Sequence, residues 1–443
     1  MLSPATYRIA AIWWPLALSW LFMGIEQPLT AIIVARLADP AIHLAAFGGV
    51  VFPLALAIES PIIMLLAAST ALADHKQAYR LMYRFMMAAG ASITVVHALV
   101  AFTPLYDLVV IGLLRPPAEI VEPARLGLMI MLPWTWSIGH RRFHQGVLIR
   151  YGDAKAVSVG TFIRLMTNVV VMLLSVLMGL SGIVVASTGL SIGVVVEMVF
   201  IAWRARRVVR ERIPVHVEQP LTWGGFADFY TPLALTSFLF LASQPLGSAA
   251  LSRMPEALNS LAVWPVLMSF VFLFRGLGFA FNEVVVTVLK EKIATFSELS
   301  RFALSLSALL AGLLALVALT PFAPFYFDSV AGLSDTLATL AVSSVALTIL
   351  WPAISVMRNL YQGVIVYNRQ TRFVSESVVV SLAVTALLLG VGVMLGRFVG
   401  LYVGVVAFLA GNVVQVVWLY WRSQSARRAL VGTLPAQLPR SAP

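Results

Sequence analysis

The sequence predicts an all-α integral membrane protein whose twelve transmembrane helices form two parallel six-helix repeats. Sixty per cent of its 443 residues are hydrophobic and 11% are charged, whereas soluble domains carry roughly 25% charged residues. The mean hydropathy is +0.93. Apolar stretches of about 20 residues, long enough to cross the hydrocarbon layer as a helix, recur along the chain. The chain also matches itself when it is shifted by 217 residues.

The internal match persists across both halves. Residues 15–18 (PLAL) match 232–235, and residues 27–29 (QPL) match 244–246. Further matches pair Thr103 and Pro104 with Thr320 and Pro321, Trp134 with Trp351, Arg141 with Arg358, and residues 145–147 (QGV) with 362–364. A duplicated half is typical of transporters whose substrate site is enclosed by the two repeats.

The apolar stretches predict six helices in each half. The first half holds 12–36, 44–72, 81–103, 124–149, 155–178 and 182–203, and the second holds 226–252, 258–289, 300–322, 337–366, 372–395 and 400–421. The predicted domains are an N-terminal lobe (1–203), a cytoplasmic linker (204–223), a C-terminal lobe (224–421) and a cytoplasmic tail (422–443). An even number of spans gives the lobes the same orientation, so that two bundles face a shared cleft.

The basic residues predict the topology. Cytoplasmic loops concentrate Lys and Arg, and on this map most of the 30 Lys and Arg residues fall on one side of the membrane. The few on the other side are Arg36, Arg115, Arg125, Arg253 and Arg397. Both termini are therefore expected in the cytoplasm, with the protein in the inner (plasma) membrane of a bacterium. This spread over alternate loops explains the net charge of +11 without nucleic-acid binding.

On these residues the chain resembles the multidrug, oligosaccharidyl-lipid and polysaccharide (MOP) exporter superfamily, which contains the MATE transporters and the lipid-linked sugar flippases. The resemblance includes a motif assigned to the loop after the fourth helix of each lobe, RRFHQGVLI at 141–149 and RNLYQGVIV at 358–366. Residues 24–27 (GIEQ) and 13–18 are similar to the ankylosis-protein branch. The resemblance implies a V-shaped MATE-like fold, with both termini inside and alternating access to a central cavity.

Polar residues inside the spans predict the site, because a charge at the bilayer centre costs at least about 2.5 kcal/mol. Glu26 lies in helix 1, followed by Gln27 and Pro28, and the second half repeats Gln244 and Pro245. A proline inside a span kinks the helix and frees backbone carbonyls, which a protein-lined cavity tolerates. We expect Glu26 to bind and release the coupling ion, although a kink that only aids packing remains the alternative reading.

Further candidates lie on helices 2, 5 and 8. Glu59 and Arg275 are expected to meet across the cleft, with a permanent ion pair inside one bundle as the alternative. Arg164 and Asn168 share one face of helix 5, and Arg164 and Arg275 are candidates for binding a phosphate or carboxylate. Asn282 and Glu283 complete the predicted cavity. Arg141 and Arg358, near helix ends, are interpreted as topology residues.

The function predicted from this pattern is secondary active transport, with H⁺ or Na⁺ driving the export of a small organic solute. The alternatives are a carrier of organic anions or phosphorylated metabolites, as the ankylosis branch suggests, and a flippase for lipid-linked oligosaccharides. No nucleophile with a base and no metal cluster is evident, so neither an enzyme nor a cofactor is predicted. The expected partners are the solute and membrane lipids, and the expected state is a monomer.

Overall fold

The computed structural model describes residues 4–215 and 220–431, which are almost entirely helical. The first half contains α1 (Pro4–Gly24), α2 (Glu26–Val34), α3 (Pro40–Leu44), α4 (Phe52–Ile63), α5 (Leu65–Leu72), α6 (Lys76–Phe102), α7 (Ala118–Ile130), α8 (Leu132–Arg150), α9 (Ala154–Leu177) and α10 (Gly182–Glu211). The second contains α11 (Trp223–Leu251), α12 (Ala257–Phe279), α13 (Phe281–Lys290), α14 (Phe296–Ala318), α15 (Phe322–Pro324), α16 (Asp335–Val345), α17 (Trp351–Tyr367), α18 (Arg372–Leu395), α19 (Gly400–Arg422) and α20 (Gln424–Val431).

The helical class and the membrane-spanning character are confirmed. Within the described residues ten helices are long and apolar enough to cross a membrane, and an eleventh span results if α16 and α17, bent by 41°, are counted together. Of the twelve predicted spans, 124–149 is not among these. It corresponds to α7 and α8, and α8 is polar because it carries His140, Arg141, Arg142, His144 and Gln145.

The two repeats are visible in the local structure as well as in the sequence. A π-helical segment at Asp107–Leu114 recurs at Phe325–Val330, each following a Thr-Pro pair. The break between α4 and α5 at Met64 recurs at Ala280, and the break between α7 and α8 at Met131 recurs around Thr348. These three interruptions are therefore shared by the two repeats.

The repeated motif lies inside helices, so its assignment to loops was wrong. Residues 141–149 belong to α8 and residues 358–366 to α17. Its glycine allows two helices to touch in each half. A Cβ at Gly146 would lie 2.0 Å from the hydroxyl oxygen of Ser69 on α5, and a Cβ at Gly363 would lie 2.7 Å from the Cβ of Val285 on α13. The motif is thus a helix-crossing point in both repeats.

The contacts group the helices into two compact units. One unit is residues 29–265, and the other is residues 1–28 together with 266–443. The first helix thus groups with the second half of the chain, and α11 groups with the first half. The predicted lobes, 1–203 and 224–421, describe the sequence repeat and stay a prediction. The predicted linker and tail contain the last turns of α10 and the short helix α20, and otherwise lie in part outside the described residues.

The two prolines predicted to interrupt helices behave differently. The first span breaks at Ile25, between α1 and α2, three residues before Pro28. Pro245, with Pro232, lies inside α11, which is assigned as a single helix over 29 residues. The interruption predicted at Pro245 is therefore not present as a helix break.

We predict that Gly146→Ala lowers the stability of the protein by about 1–3 kcal/mol, because the added methyl group cannot fit at the α5–α8 crossing. Thermal unfolding in detergent measures the change. Gly390→Ala is the matched control, since Gly390 lies in α18 with nothing within 4 Å of its added Cβ, and alanine is the better helix former. Equal melting temperatures for the two variants would contradict the assigned crossing.

Candidate functional site

A buried carboxylate organises the polar residues of the unit formed by residues 29–265. Glu197 on α10 is fully buried. Its Oε2 accepts a hydrogen bond from Nη1 of Arg141 on α8 at 2.8 Å, and its Oε1 accepts one from Nε2 of Gln145 at 3.0 Å. Nε of Arg164 on α9 lies 3.5 Å from Oε2. One carboxylate therefore joins three helices: it accepts charge-assisted hydrogen bonds, the strong class, from α8, and it forms an ion pair with Arg164 of α9.

Glu59 lies in the same unit and has Arg141 as an electrostatic neighbour in common with Glu197. It is 1% exposed on α4, and the positive charges of Arg142 and Arg141 act on it. Its Oε2 has no hydrogen-bond partner in the described residues. Arg275, its predicted partner, belongs to the other unit, so the contact between Glu59 and Arg275 stays a prediction. The electrostatic partners that the structure places around Glu59 come from its own bundle.

The predicted pair Arg164 and Asn168 lies on α9 against α10. Asn168 is buried, and a Cβ at Gly193 of α10 would lie 1.5 Å from its Oδ1. Gly193 thus leaves the space that the amide side chain occupies. Together with Glu59, Glu197, Arg141 and Arg142, these residues form a polar cluster of two acids and three arginines, which we call the α8 cluster.

The other unit contains two arginines whose neighbours are aromatic rings and a hydroxyl group rather than carboxylates. Nε of Arg275 on α12 donates a hydrogen bond to the hydroxyl of Ser355 on α17 at 3.2 Å. Its guanidinium lies over the ring of Trp351, 4.5 Å from the centroid. Arg275 and Arg358 also lie over the same ring of Phe279, at 5.5 and 5.2 Å. We call Arg275, Arg358, Trp351, Phe279 and Ser355 the arginine pair site.

Close helix packing creates this site. A Cβ at Gly278 of α12 would lie 3.0 Å from Cγ2 of Val356 and 3.2 Å from its backbone nitrogen. The glycine lets α12 approach α17 closely, which brings Arg275 beside Ser355 and Trp351. Trp351 is 2% exposed, so it forms a fixed wall for the guanidinium.

The remaining predicted residues are distributed over both units. Glu26 is buried at the first residue of α2, in the unit that contains Arg275, with Gln27 half-buried beside it. Asn282 is half-buried on α13, and Glu283 next to it is exposed, so Glu283 is less enclosed than the sequence suggested. Gln244 is half-buried on α11 and belongs to the unit of residues 29–265.

An apolar pocket of about 380 Å³ opens along α11 in the unit of residues 29–265. Its walls include Phe85, Trp223, Phe226, Tyr230 and Phe238, and none of its lining residues is charged. The Tyr230 hydroxyl donates to the carbonyl of Pro61 at 2.5 Å, which satisfies the one phenol in the wall. The volume is within the range of small-molecule sites, but none of the predicted site residues lines this pocket.

The sequence interpretation of Arg141 was incomplete. Arg141 is 4% exposed and lies nine residues before the end of α8, so a topology residue near a helix end does not describe it. Glu197, which was not among the predicted site residues, accepts hydrogen bonds from Arg141 and Gln145 in the α8 cluster. One sequence signal could have suggested this pairing: Arg141 and Glu197 are charges of opposite sign inside two predicted spans of the same repeat, 124–149 and 182–203.

No protein-family model and no curated protein gives a significant match to this chain, but solved structures share its fold. An inward-facing multidrug resistance MATE family transporter of the MOP superfamily matches with a TM-score of 0.72 and 15% identity, over 96% of this chain and 99% of that chain. The outward-facing conformation of such a transporter matches with a TM-score of 0.67 and 16% identity, over 97% of each chain.

Two further structures extend the comparison. The lipid II flippase MurJ, in an inward closed conformation, matches with a TM-score of 0.69 and 12% identity, over 94% of this chain and 89% of that chain. A MOP superfamily transporter from Pyrococcus furiosus matches with a TM-score of 0.64 and 15% identity, over 97% of each chain. The chain therefore has the fold of MATE-type transporters and of MurJ, as the sequence resemblance predicted.

We predict that Glu197→Gln destabilises the protein by about 3–5 kcal/mol, because it leaves the buried Arg141 without its carboxylate. Thermal unfolding in detergent measures the change. Glu211→Gln is the control: Glu211 pairs with Arg207 and Arg210 at an exposed position, where an ion pair is worth at most about 1 kcal/mol. The double variant Arg141→Met with Glu197→Gln should recover part of the loss, because it also removes the cation that Glu197→Gln leaves without its carboxylate. If Glu197→Gln lowers the stability no more than Glu211→Gln does, Glu197 does not hold α8, α9 and α10 together.

Proposed function

We propose that the protein is a secondary active transporter of the MOP type, which exports a small organic solute by alternating access and is coupled to H⁺ or Na⁺. The fold supports this proposal, because structures that share it along nearly their whole length belong to transporters in inward-facing and outward-facing conformations. An enzymatic function has no support from the residues described here. We place the protein in the bacterial inner membrane, with both termini cytoplasmic, as a monomer in contact with lipids.

The coupling proposal rests on the buried, incompletely hydrogen-bonded carboxylate of Glu59. A buried carboxylate with an oxygen that lacks a hydrogen-bond partner is expensive to retain unless it has a function. A proton or a sodium ion on Glu59 would cancel its charge and weaken its attraction to Arg142. Loss of the ion would restore that attraction. Such an exchange between two charge states of one buried pair is what a coupling residue requires.

The charge of the solute does not follow from the fold. For the Pyrococcus furiosus transporter, a reversed polarity of the binding pocket is said to suggest a different function. The present chain likewise departs from a simple acidic cavity, because the α8 cluster and the arginine pair site together contain five arginines and two acids. We therefore keep the organic anion carrier as the second candidate, supported by the arginine pair site, and treat the flippase as the third.

We predict that Glu59→Gln abolishes transport driven by an ion gradient while downhill exchange persists, because the neutral amide cannot change its charge. The solute is first selected by thermal stabilisation of the purified protein with a panel of organic cations and anions, at pH 6 and pH 8, with and without sodium. Its uptake is then measured in proteoliposomes with an imposed pH or sodium gradient, and its exchange is measured without a gradient.

Glu26→Gln is tested in the same assay, because Glu26 is the other buried candidate for coupling. Glu211→Gln is the control for loss of an acid, since Glu211 is exposed on α10 and is not a predicted site residue. If both Glu59→Gln and Glu26→Gln leave the gradient-driven uptake and its pH dependence intact, the coupling proposal is wrong. If only Glu26→Gln removes the coupling, the coupling residue is Glu26 on α2 rather than Glu59 in the α8 cluster.

A further inference from the structure

The arginine pair site contains two cations and no anion. Within residues 4–215 and 220–431, neither Arg275 nor Arg358 forms an ion pair with a carboxylate. Both guanidiniums are partly buried between α12 and α17, and Nε of Arg358 is enclosed without a hydrogen-bond partner. Two neighbouring positive charges in such a place repel each other and lack solvation, so an unfilled site is unfavourable.

The sequence repeat provides an internal reference for this arrangement. Arg358 is the repeat counterpart of Arg141, which has Glu197 as its partner at 2.8 Å. After the one-residue insertion, the counterpart of Glu197 is Gln415, whose Nε2 donates to the hydroxyl of Ser377 at 3.2 Å. The second repeat has kept the arginine and replaced the acid by a neutral amide. The carboxylate that satisfies the first arginine is thus missing from the second repeat.

The groups around the two arginines are also suited to an anion. The indole Nε1–H of Trp351 is buried and has no acceptor, although indole N–H groups usually find one when they are buried. The Ser355 hydroxyl already accepts from Arg275, so it holds that guanidinium in place. An oxyanion would supply acceptors for the Arg358 Nε–H and the Trp351 N–H and would neutralise the paired charges.

We propose that the arginine pair site binds an oxyanion, a phosphate or a carboxylate group of the transported molecule, with Arg275 and Arg358 as the charged donors and Trp351 as a neutral donor. This assignment rests on the proposed transport function and adds the chemical class of the substrate. The rings of Phe279 and Trp351 confine the guanidiniums on one side, which leaves their remaining N–H groups for the ligand. Free anions and the phosphate of a lipid headgroup share this chemistry.

Equilibrium binding to the purified full-length protein in detergent tests the site without any ion gradient. The probes are pyrophosphate and citrate as free anions, a short-chain phosphatidic acid as a lipid phosphate, and choline as the cation control. We expect an anion to bind, and we expect Arg275→Gln and Arg358→Gln each to weaken its binding by about tenfold or more, as loss of a charge-assisted contact to an anion implies. Both variants should fold, because each removes a charge that has no partner.

Arg422→Gln is the matched control in the same unit. Arg422 is also surrounded by aromatic rings, those of Phe373, Trp418 and Trp421, but Glu376 neutralises it at 2.7 Å. Its replacement should leave anion binding unchanged. Gln415→Glu is a second test, since it restores the acid of the first repeat. It should weaken anion binding at neutral pH, whereas Gln415→Asn should not.

Binding of free anions that depends on Arg275 and Arg358 supports a soluble anionic solute, and binding of phosphatidic acid alone supports a lipid phosphate. If no anion binds, or if Arg422→Gln weakens binding as much as Arg275→Gln, the site is overturned. The measurement separates this proposal from the coupling proposal. Glu59→Gln is expected to keep its anion binding and lose only its response to a gradient, whereas Arg275→Gln is expected to lose the binding itself.

Discussion

Arg141 and Glu197 satisfy each other inside a helix bundle, where neither charge can be hydrated. A single buried carboxylate or guanidinium is costly in such surroundings, and the cost is recovered only when the geometry is good and the other donors find acceptors. Here Arg141, Gln145 and Arg164 converge on one carboxylate. This requirement fixes α8, α9 and α10 against each other, and it explains why α8 is too polar to be recognised as an ordinary span.

The same constraint connects the motif glycine to the charges. Gly146 follows Gln145 directly, and without its close approach to α5 the helix that carries Arg141 could not lie this deep in the bundle. The second repeat preserves the glycine at Gly363 and the crossing with α13, but not the acid. The two halves therefore share the same close backbone packing, which tolerates little variation. Their charged residues differ, because Glu197 of the first repeat is Gln415 in the second.

The sequence predicted the fold well because its signals are local or periodic. Apolar runs, the 217-residue match and the positions of Pro28 and the Thr-Pro pairs each act within a few turns of helix, and the structure has helices at all of the predicted spans. The pairing of Arg141 with Glu197 joins residues 56 apart, and which side chains meet across a bundle depends on helix rotation, which hydropathy does not encode. The sequence therefore selected charged residues inside the spans, but it did not predict the pairing of Arg141 with Glu197, and the selected site residues stay a prediction.

Counting basic residues in loops predicts a topology but is misleading for the site, because the rule treats every Arg near a span end alike. Arg141 and Arg358 occupy the same place in the two repeats, yet one is neutralised and the other is not. Arg358 is partly buried, and its Nε has no hydrogen-bond partner in the described residues, so little is available to compensate its charge. When one repeat contains an ion pair and the other contains only its cation, the second repeat lacks an anion at that place. This asymmetry is the reason for proposing an oxyanion site at Arg275 and Arg358.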